Sequence, residues 1–258
     1  MITRYRAWMD GDALDEIADS IYITDIVEPE TQVEVISLPL AGRSGSRLQS
    51  NHRRSKTVLI QLMIREYDVK ARKDVLNQVL SWAQGEELEI NDRDGLVLYV
   101  RLDNVPQISS LKWTETITLS FTAWDVPYWQ LKSTVGLEAA NLMERTFSFY
   151  TDGNLPALVN FGVSNTGTGT VTDVTASANN SCFIHFSGLQ IRPGSAFRFS
   201  HDERGLVTAK VDGVSVMDRM TADSSDDLMT DPRIKTNKIT IRADATVTIT
   251  AMMRWRWL

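Results

Sequence analysis

One stretch, Thr116 to Trp129 (TITLSFTAWDVPYW), divides this chain into two unlike halves. Ile117, Leu119, Phe121 and Ala123 alternate with Thr116, Thr118, Ser120 and Thr122, the period-two pattern of a half-buried strand. Asp125-Val126-Pro127 ends it, because proline has no N–H to give to a ladder and drives the preceding residue away from helix. Before this stretch the pattern is mixed, with one strong helix. After about Asn154 it is strand and turn throughout. The expectation is a mainly β (α+β) chain with a domain over 1–130, a linker over 131–153 and a β-sandwich over 154–258. The 258 residues are ample for two cores.

In the first half, strands are expected at Ile21–Val27, at Thr31–Leu40 and at Thr57–Arg65, where Val58, Ile60, Leu62 and Ile64 form one apolar face. Asp68 is placed to cap a helix from Val69 to Ala83, with Val75, Leu76, Val79, Leu80 and Ala83 as its apolar stripe. Gly85 reads as a left-handed stop. Glu87–Ile90 and Leu96–Leu102 read as a hairpin around Gly95. Trp124, Tyr128 and Trp129 read as packing at a domain edge. Within 131–153 a short helix is expected at Leu137–Leu142, and Phe147 and Phe149 suggest an edge strand.

In the second half, short strands are expected at Leu155–Phe161, Thr170–Ser177, Cys182–Phe186, Ala196–Ser200, Val207–Val211, Val214–Val216, Lys238–Arg242 and Thr246–Met253. Glycine punctuation at Asn165–Thr170 is a turn and not a phosphate cradle, because no Lys-Ser/Thr follows it.

Chemistry is sparse. His52, His185 and His201 have no metal-ligand spacing, and no G-x-S-x-G elbow is present. Asp223, Asp226, Asp227 and Asp231 lack the register of a calcium loop. No catalytic, cofactor-binding or metal-ligating set emerges, so an enzyme is not expected and no cofactor is implied. One cysteine, Cys182, gives no intrachain disulfide and fits synthesis in a reducing compartment. The first residues carry no apolar signal region, and the longest apolar run, Val58–Ile64, is far short of the roughly 20 residues of a membrane helix.

The sharpest local feature is a run of charge. Arg43, Arg47, Arg53, Arg54 and Lys56 lie together with no acid among them, in a chain whose net charge is −6. This run is either a solvated hairpin tip or a contact with a polyanion or an acidic neighbouring subunit. Trp255 and Trp257, between arginines at the C-terminus, either cover the open end of a sheet or hold a partner or a sugar.

The order of these parts resembles the distal tail proteins (Dit) of long-tailed bacteriophages. The resemblance covers nearly the whole chain. It runs through Pro39-Leu40-Ala41-Gly42-Arg43-Ser44-Gly45, the strand from Arg53 to Arg65, the single helix ending at Gly85 and the hairpin around Gly95. It continues through the strand-to-proline junction at Phe121–Trp129, Asp227-Leu228-Met229-Thr230-Asp231-Pro232, Lys238-Ile239-Thr240-Ile241 and the closing Arg254–Leu258. Asp231-Pro232 departs from the Pro-Gly-Asn turn more common in such proteins.

The resemblance implies a tail-tube-like β-barrel or sheet domain with one flanking helix, then a galectin-like β-sandwich. It implies a homohexameric ring joining the tail tube to the tail-tip hub at the distal end of the virion's tail. Its partners would be the tube protein, the hub protein and, in some phages, receptor-binding proteins. Phage DNA would pass through the lumen without specific binding, and the chain would be made in the host cytoplasm without membrane insertion. The competing reading is a carbohydrate-binding, lectin-like protein that contributes to host adsorption through the second domain.

Overall fold

The computed structural model describes residues 5–29, 33–39, 46–53, 55–106, 116–201 and 206–258, with 33–39 and 46–53 as backbone. The chain divides into two units, Met1–Trp129 and Gln130–Leu258.

The first unit contains β1 (Ala7–Met9), β2 (Asp12–Ala13), β3 (Ile21–Val27), β4 (Val33–Pro39), β5 (Ser46–Arg53) and β6 (Lys56–Ile64). Helix α1 (Val69–Trp82) follows, then β7 (Glu87–Ile90), β8 (Leu96–Tyr99), β9 (Arg101–Leu102) and β10 (Thr116–Ala123). The strands β3-β6-β10-β9 form one sheet, β2-β1-β7-β8 run side by side, and β4 pairs with β5. β6 is the spine. Its residues alternate strictly between buried and half-buried, with Val58, Ile60, Leu62 and Ile64 in the core. β10 aligns antiparallel with it along its whole length, Thr116 opposite Met63 through Ala123 opposite Lys56. The expected hairpin forms, with Glu87 opposite Tyr99 and Leu88 opposite Leu98.

Helix α1 starts as its sequence dictates. The Asp68 carboxylate accepts the Ala71 N–H at 2.8 Å, satisfying one of the free donors of the first turn. Leu76, Val79 and Ala83 are buried, and the same stripe includes Arg72, which donates to the Glu66 and Tyr67 carbonyls. Gly85 does not stop the helix by a left-handed turn. It is required for closeness: a Cβ there would lie 2.3 Å from Asp10 Oδ2 and 2.4 Å from Met9 Cγ. Asp10 holds this crossing, accepting the N–H groups of Glu86 and Glu87.

A short strand, β11 (Trp129–Leu131), carries the division between the units. The second unit continues with β12 (Val135–Tyr150), β13 (Val159–Ser164), β14 (Val174–Ala178), β15 (Cys182–Phe186) and β16 (Ala196–His201). It ends with β17 (Val207–Val211), β18 (Val214–Ser215), β19 (Thr236–Met253) and β20 (Arg256–Trp257). The sheet order is β15-β14-β19-β13-β16-β17-β18, with β12 along the other edge of β19.

Two expectations are corrected here. Residues 131–153 are not a linker with a short helix: Val135–Tyr150 is one 16-residue strand. It pairs antiparallel with β19 from Val135 opposite Met253 to Tyr150 opposite Thr236. The two strands expected at Lys238–Arg242 and Thr246–Met253 are one 18-residue strand. Both outcomes have one cause. No glycine or proline interrupts either segment apart from Gly136, and each segment supplies the ladder partner that the other lacks. Register shifts between Ala139 and Glu144 bend the pair. The first part of β19 then pairs with β14 (Ile239 to Ala243) and the last part with β13 (Thr248 to Met253). The sheet thereby curls round one core. Phe161 stacks on Phe199 at 5.1 Å, and Phe186 meets Phe197 edge-on at 5.0 Å.

Candidate interaction surfaces

The expected basic contact region is only partly a loop. β4 and β5 form an antiparallel hairpin, with Val33 opposite Arg53, Leu38 opposite Arg47 and Pro39 opposite Ser46. Arg47 and Arg53 therefore lie on a strand, while Arg43 and Arg54 fall outside the described residues. Lys56 does not belong to this surface. It is only 5% exposed, and its Nζ lies 2.8 Å from Glu28 Oε2. The physical reason is its place as the first residue of β6, where an unpaired buried ammonium would be costly and a carboxylate is within reach.

Glu28 is the centre of a cluster that sequence reading missed. Just after β3, it accepts from Lys56 Nζ, from Arg93 Nε at 3.1 Å and Nη2 at 3.3 Å, and from Trp129 Nε1 at 2.9 Å. Burial by itself would push this carboxyl up. The hydrogen bonds from Lys56, Trp129 and Arg93 outweigh that and hold it below the usual glutamate range. The four residues are scattered along the sequence, so no spacing rule could have joined them. The cluster ties the end of β3 to the start of β6, to the turn after β7 and to the start of β11.

Of the two C-terminal tryptophans, Trp255 is not exposed as a platform for sugar. Trp255 is 2% exposed and belongs to the core of the second unit, and Trp257 is half-buried against the same core. An indole covered on its faces cannot stack on a ligand. Of the aromatics after β10, Trp129 is fully buried, but Trp124 is 62% exposed. Tyr67 and Tyr150 are exposed as well.

His185, His201 and the acidic run serve the fold of the second unit. His185 Nε2 lies 3.1 Å from Asp173 Oδ1, and the contact holds that carboxyl low. His201 is buried on its side chain, with Nδ1 2.8 Å from Asn160 Oδ1 and Nε2 3.4 Å from Asp227 Oδ1. The four aspartates do not converge. Asp223 takes the Thr221 hydroxyl, and Asp231 takes the side chain and backbone N–H of Arg233, which bring it down to about 2. The segment Thr221–Ser225, which includes Asp223, runs along the outer edge of β15. The Ser224 and Ser225 hydroxyls accept the N–H groups of His185 and Phe183 at 2.9 and 3.0 Å. The backbone N–H groups of Thr221 and Ser225 donate to the His185 and Phe183 carbonyls, so hydroxyls and main chain together cover the edge strand and blunt it against stray pairing.

Among the described residues, no group of three or more His, Cys, Asp or Glu is placed to hold a metal ion. No described helix is long and apolar enough to cross a membrane.

No family model matches this sequence, and no curated protein does. Solved structures do. The fold is similar to that of SPP1 Dit (gp 19.1), whose structure is presented as a paradigm of the hub adsorption apparatus in phages infecting Gram-positive hosts. The TM-score is 0.71 at 10% identity, over 99% of this chain and 100% of that one. Two structures of the phage P2 baseplate in its activated conformation, with calcium and with strontium, align at 9% and 10% identity. Their TM-scores are 0.49, over 99% and 97% of this chain and 98% and 97% of the matched chains. The first match establishes that both units, in this order, make up the β-rich Dit fold.

Proposed function

We propose that this chain is a structural hub of a phage tail adsorption apparatus. The observation that carries the reading is the agreement with SPP1 Dit over the whole of both chains. Six copies form a ring that joins the tail tube to the tail-tip hub and leaves a channel for DNA. The first, tail-tube-like unit supplies the ring, and the second, galectin-like unit supplies contacts to other tail proteins. The net charge of −6 favours this reading, because a channel that passes DNA must not accumulate phosphate contacts. A ring subunit needs paired edges and exposed anchors, such as Trp124, more than an active site.

The basic hairpin is assigned to the contact between copies or between rings, through Arg43, Arg47, Arg53 and Arg54 and without Lys56. Light scattering over a concentration series, with negative-stain images of the chain alone and mixed with tail-tube protein, tests the assembly. Rings near six times 29.0 kDa support it. Monomers under both conditions refute it. Changing the four arginines to glutamine should leave the melting of the chain unaltered and abolish rings, and rings that persist would remove the hairpin from the interface.

A further inference from the structure

A row of residues crosses the outer face of the second unit. From β19 outward it reads Thr250, Gly162, Arg198, Lys210 and Ser215, each directly opposite the next on neighbouring antiparallel strands. Their sequence neighbours Phe161, Phe197, Phe199 and Ala209 point the other way, into the core. Arg198 and Lys210 are exposed, and they face each other directly across β16 and β17. Side chains in that relation start about 5 Å apart, and like charges there are destabilising.

Among the described residues, no ion pair relieves the repulsion. Neither residue makes an ion pair or a side-chain hydrogen bond among the described residues. The nearest carboxylate along β17, Asp212, is committed to the Ala196 N–H at 2.9 Å. Along the row itself, the first acid is Glu138, opposite Thr250. That is three strands from Arg198, or about 14 Å.

The rest of the row is suited to hydroxyl groups. Gly162 keeps its middle flat, since a Cβ there would fall 2.7 Å from Thr250 Oγ1. Ser200 and Thr208 lie beside the two cations, their hydroxyls 3.0 Å apart. Ser215 ends the row.

We propose that this face binds a phosphorylated or sulfated sugar. One tetrahedral oxyanion sits between Arg198 and Lys210, the guanidinium taking two of its oxygens and the ammonium a third. Thr250, Ser200, Thr208 and Ser215 meet the hydroxyls of the sugar. An anion between the two cations offsets their mutual repulsion. The hydroxyl lining favours a sugar over an acidic peptide. The inference is independent of ring assembly and differs in place from the C-terminal tryptophans.

The test is calorimetric titration of the full chain at fixed ionic strength. The probes are glucose 6-phosphate, sorbitol 6-phosphate, inorganic phosphate, glucose and polyglutamate. The variants are Arg198→Ala and Lys210→Thr. Binding of at least one sugar phosphate, weakened about tenfold or more in each variant and absent for glucose, supports the site. Three results overturn it: sugar phosphates that fail to bind, sugar phosphates that bind the variants as well as the parent, and inorganic phosphate or polyglutamate that binds as tightly as either sugar phosphate. A second readout needs no ligand. Lys210→Thr should raise the melting temperature by about 1–3 °C, because it removes the like-charge pair and adds a strand-favouring residue. A lower melting temperature would show that the pair carries no repulsion.

Discussion

Replacing Glu28 by glutamine keeps the shape of the side chain and removes its charge. It leaves the Lys56 ammonium, whose side chain is 6% exposed, without a counter-ion. Removing one partner of a buried pair costs about 3–5 kcal/mol. Glu28 itself is 20% exposed and its second cation, Arg93, is 33% exposed, so solvent tempers the loss. Lys56 dominates, and the expected cost is about 2–4 kcal/mol, or roughly 8–15 °C in the melting of a unit this size. Urea denaturation followed by tryptophan fluorescence is a direct assay, because buried Trp129 donates to the same carboxylate.

The double variant Glu28→Gln with Lys56→Met tests the cause. It removes the orphaned charge and should recover most of the loss. The pH dependence follows from the low position of the Glu28 carboxyl. Its stabilisation is present above the unfolded value of about 4.3 and is lost as pH falls through the lower folded value. The gap between parent and Glu28→Gln should therefore close in acid. A cost below about 0.5 kcal/mol, or a double variant no better than the single one, would refute the claim that a buried ion pair joins these elements.

Gly85→Ala should destabilise the first unit by about 1–3 kcal/mol, because the new methyl would press on Asp10 and Met9, and a variant that melts with the parent would rule out that crossing. Trp255→Ala should cost the second unit about 3–5 kcal/mol while changing nothing on a glycan array, whereas a stable variant that loses glycan binding would restore the tryptophan as a sugar contact. Replacing Ser224 and Ser225 by alanine should cost about 1 kcal/mol for each lost acceptor and speed aggregation on heating, as the edge of β15 opens, and light-scattering traces that match the parent would show that the edge is protected by other means.

Much of this protein could be read from local pattern. Alternation in Val58–Ile64 and Thr116–Ala123 marked two paired strands, and Asp68 with the stripe through Leu76 and Val79 marked the helix, because these signals depend on the geometry of one element. The order of such elements was enough to suggest the Dit resemblance, and the fold agrees. What local pattern could not supply was partnership. The 16 residues of β12 look like linker alone and become a strand only when β19 lies beside them. Gly85 looks like a helix stop until Asp10 crosses it. Lys56 reads as the last charge of a basic run, yet Glu28, 28 positions earlier, draws it inward. Arg198 and Lys210 are unremarkable 12 positions apart, and only the β16–β17 register sets them face to face. In each case the deciding interaction is between residues distant in sequence, and burial, pairing and charge compensation exist only once the chain has folded them together.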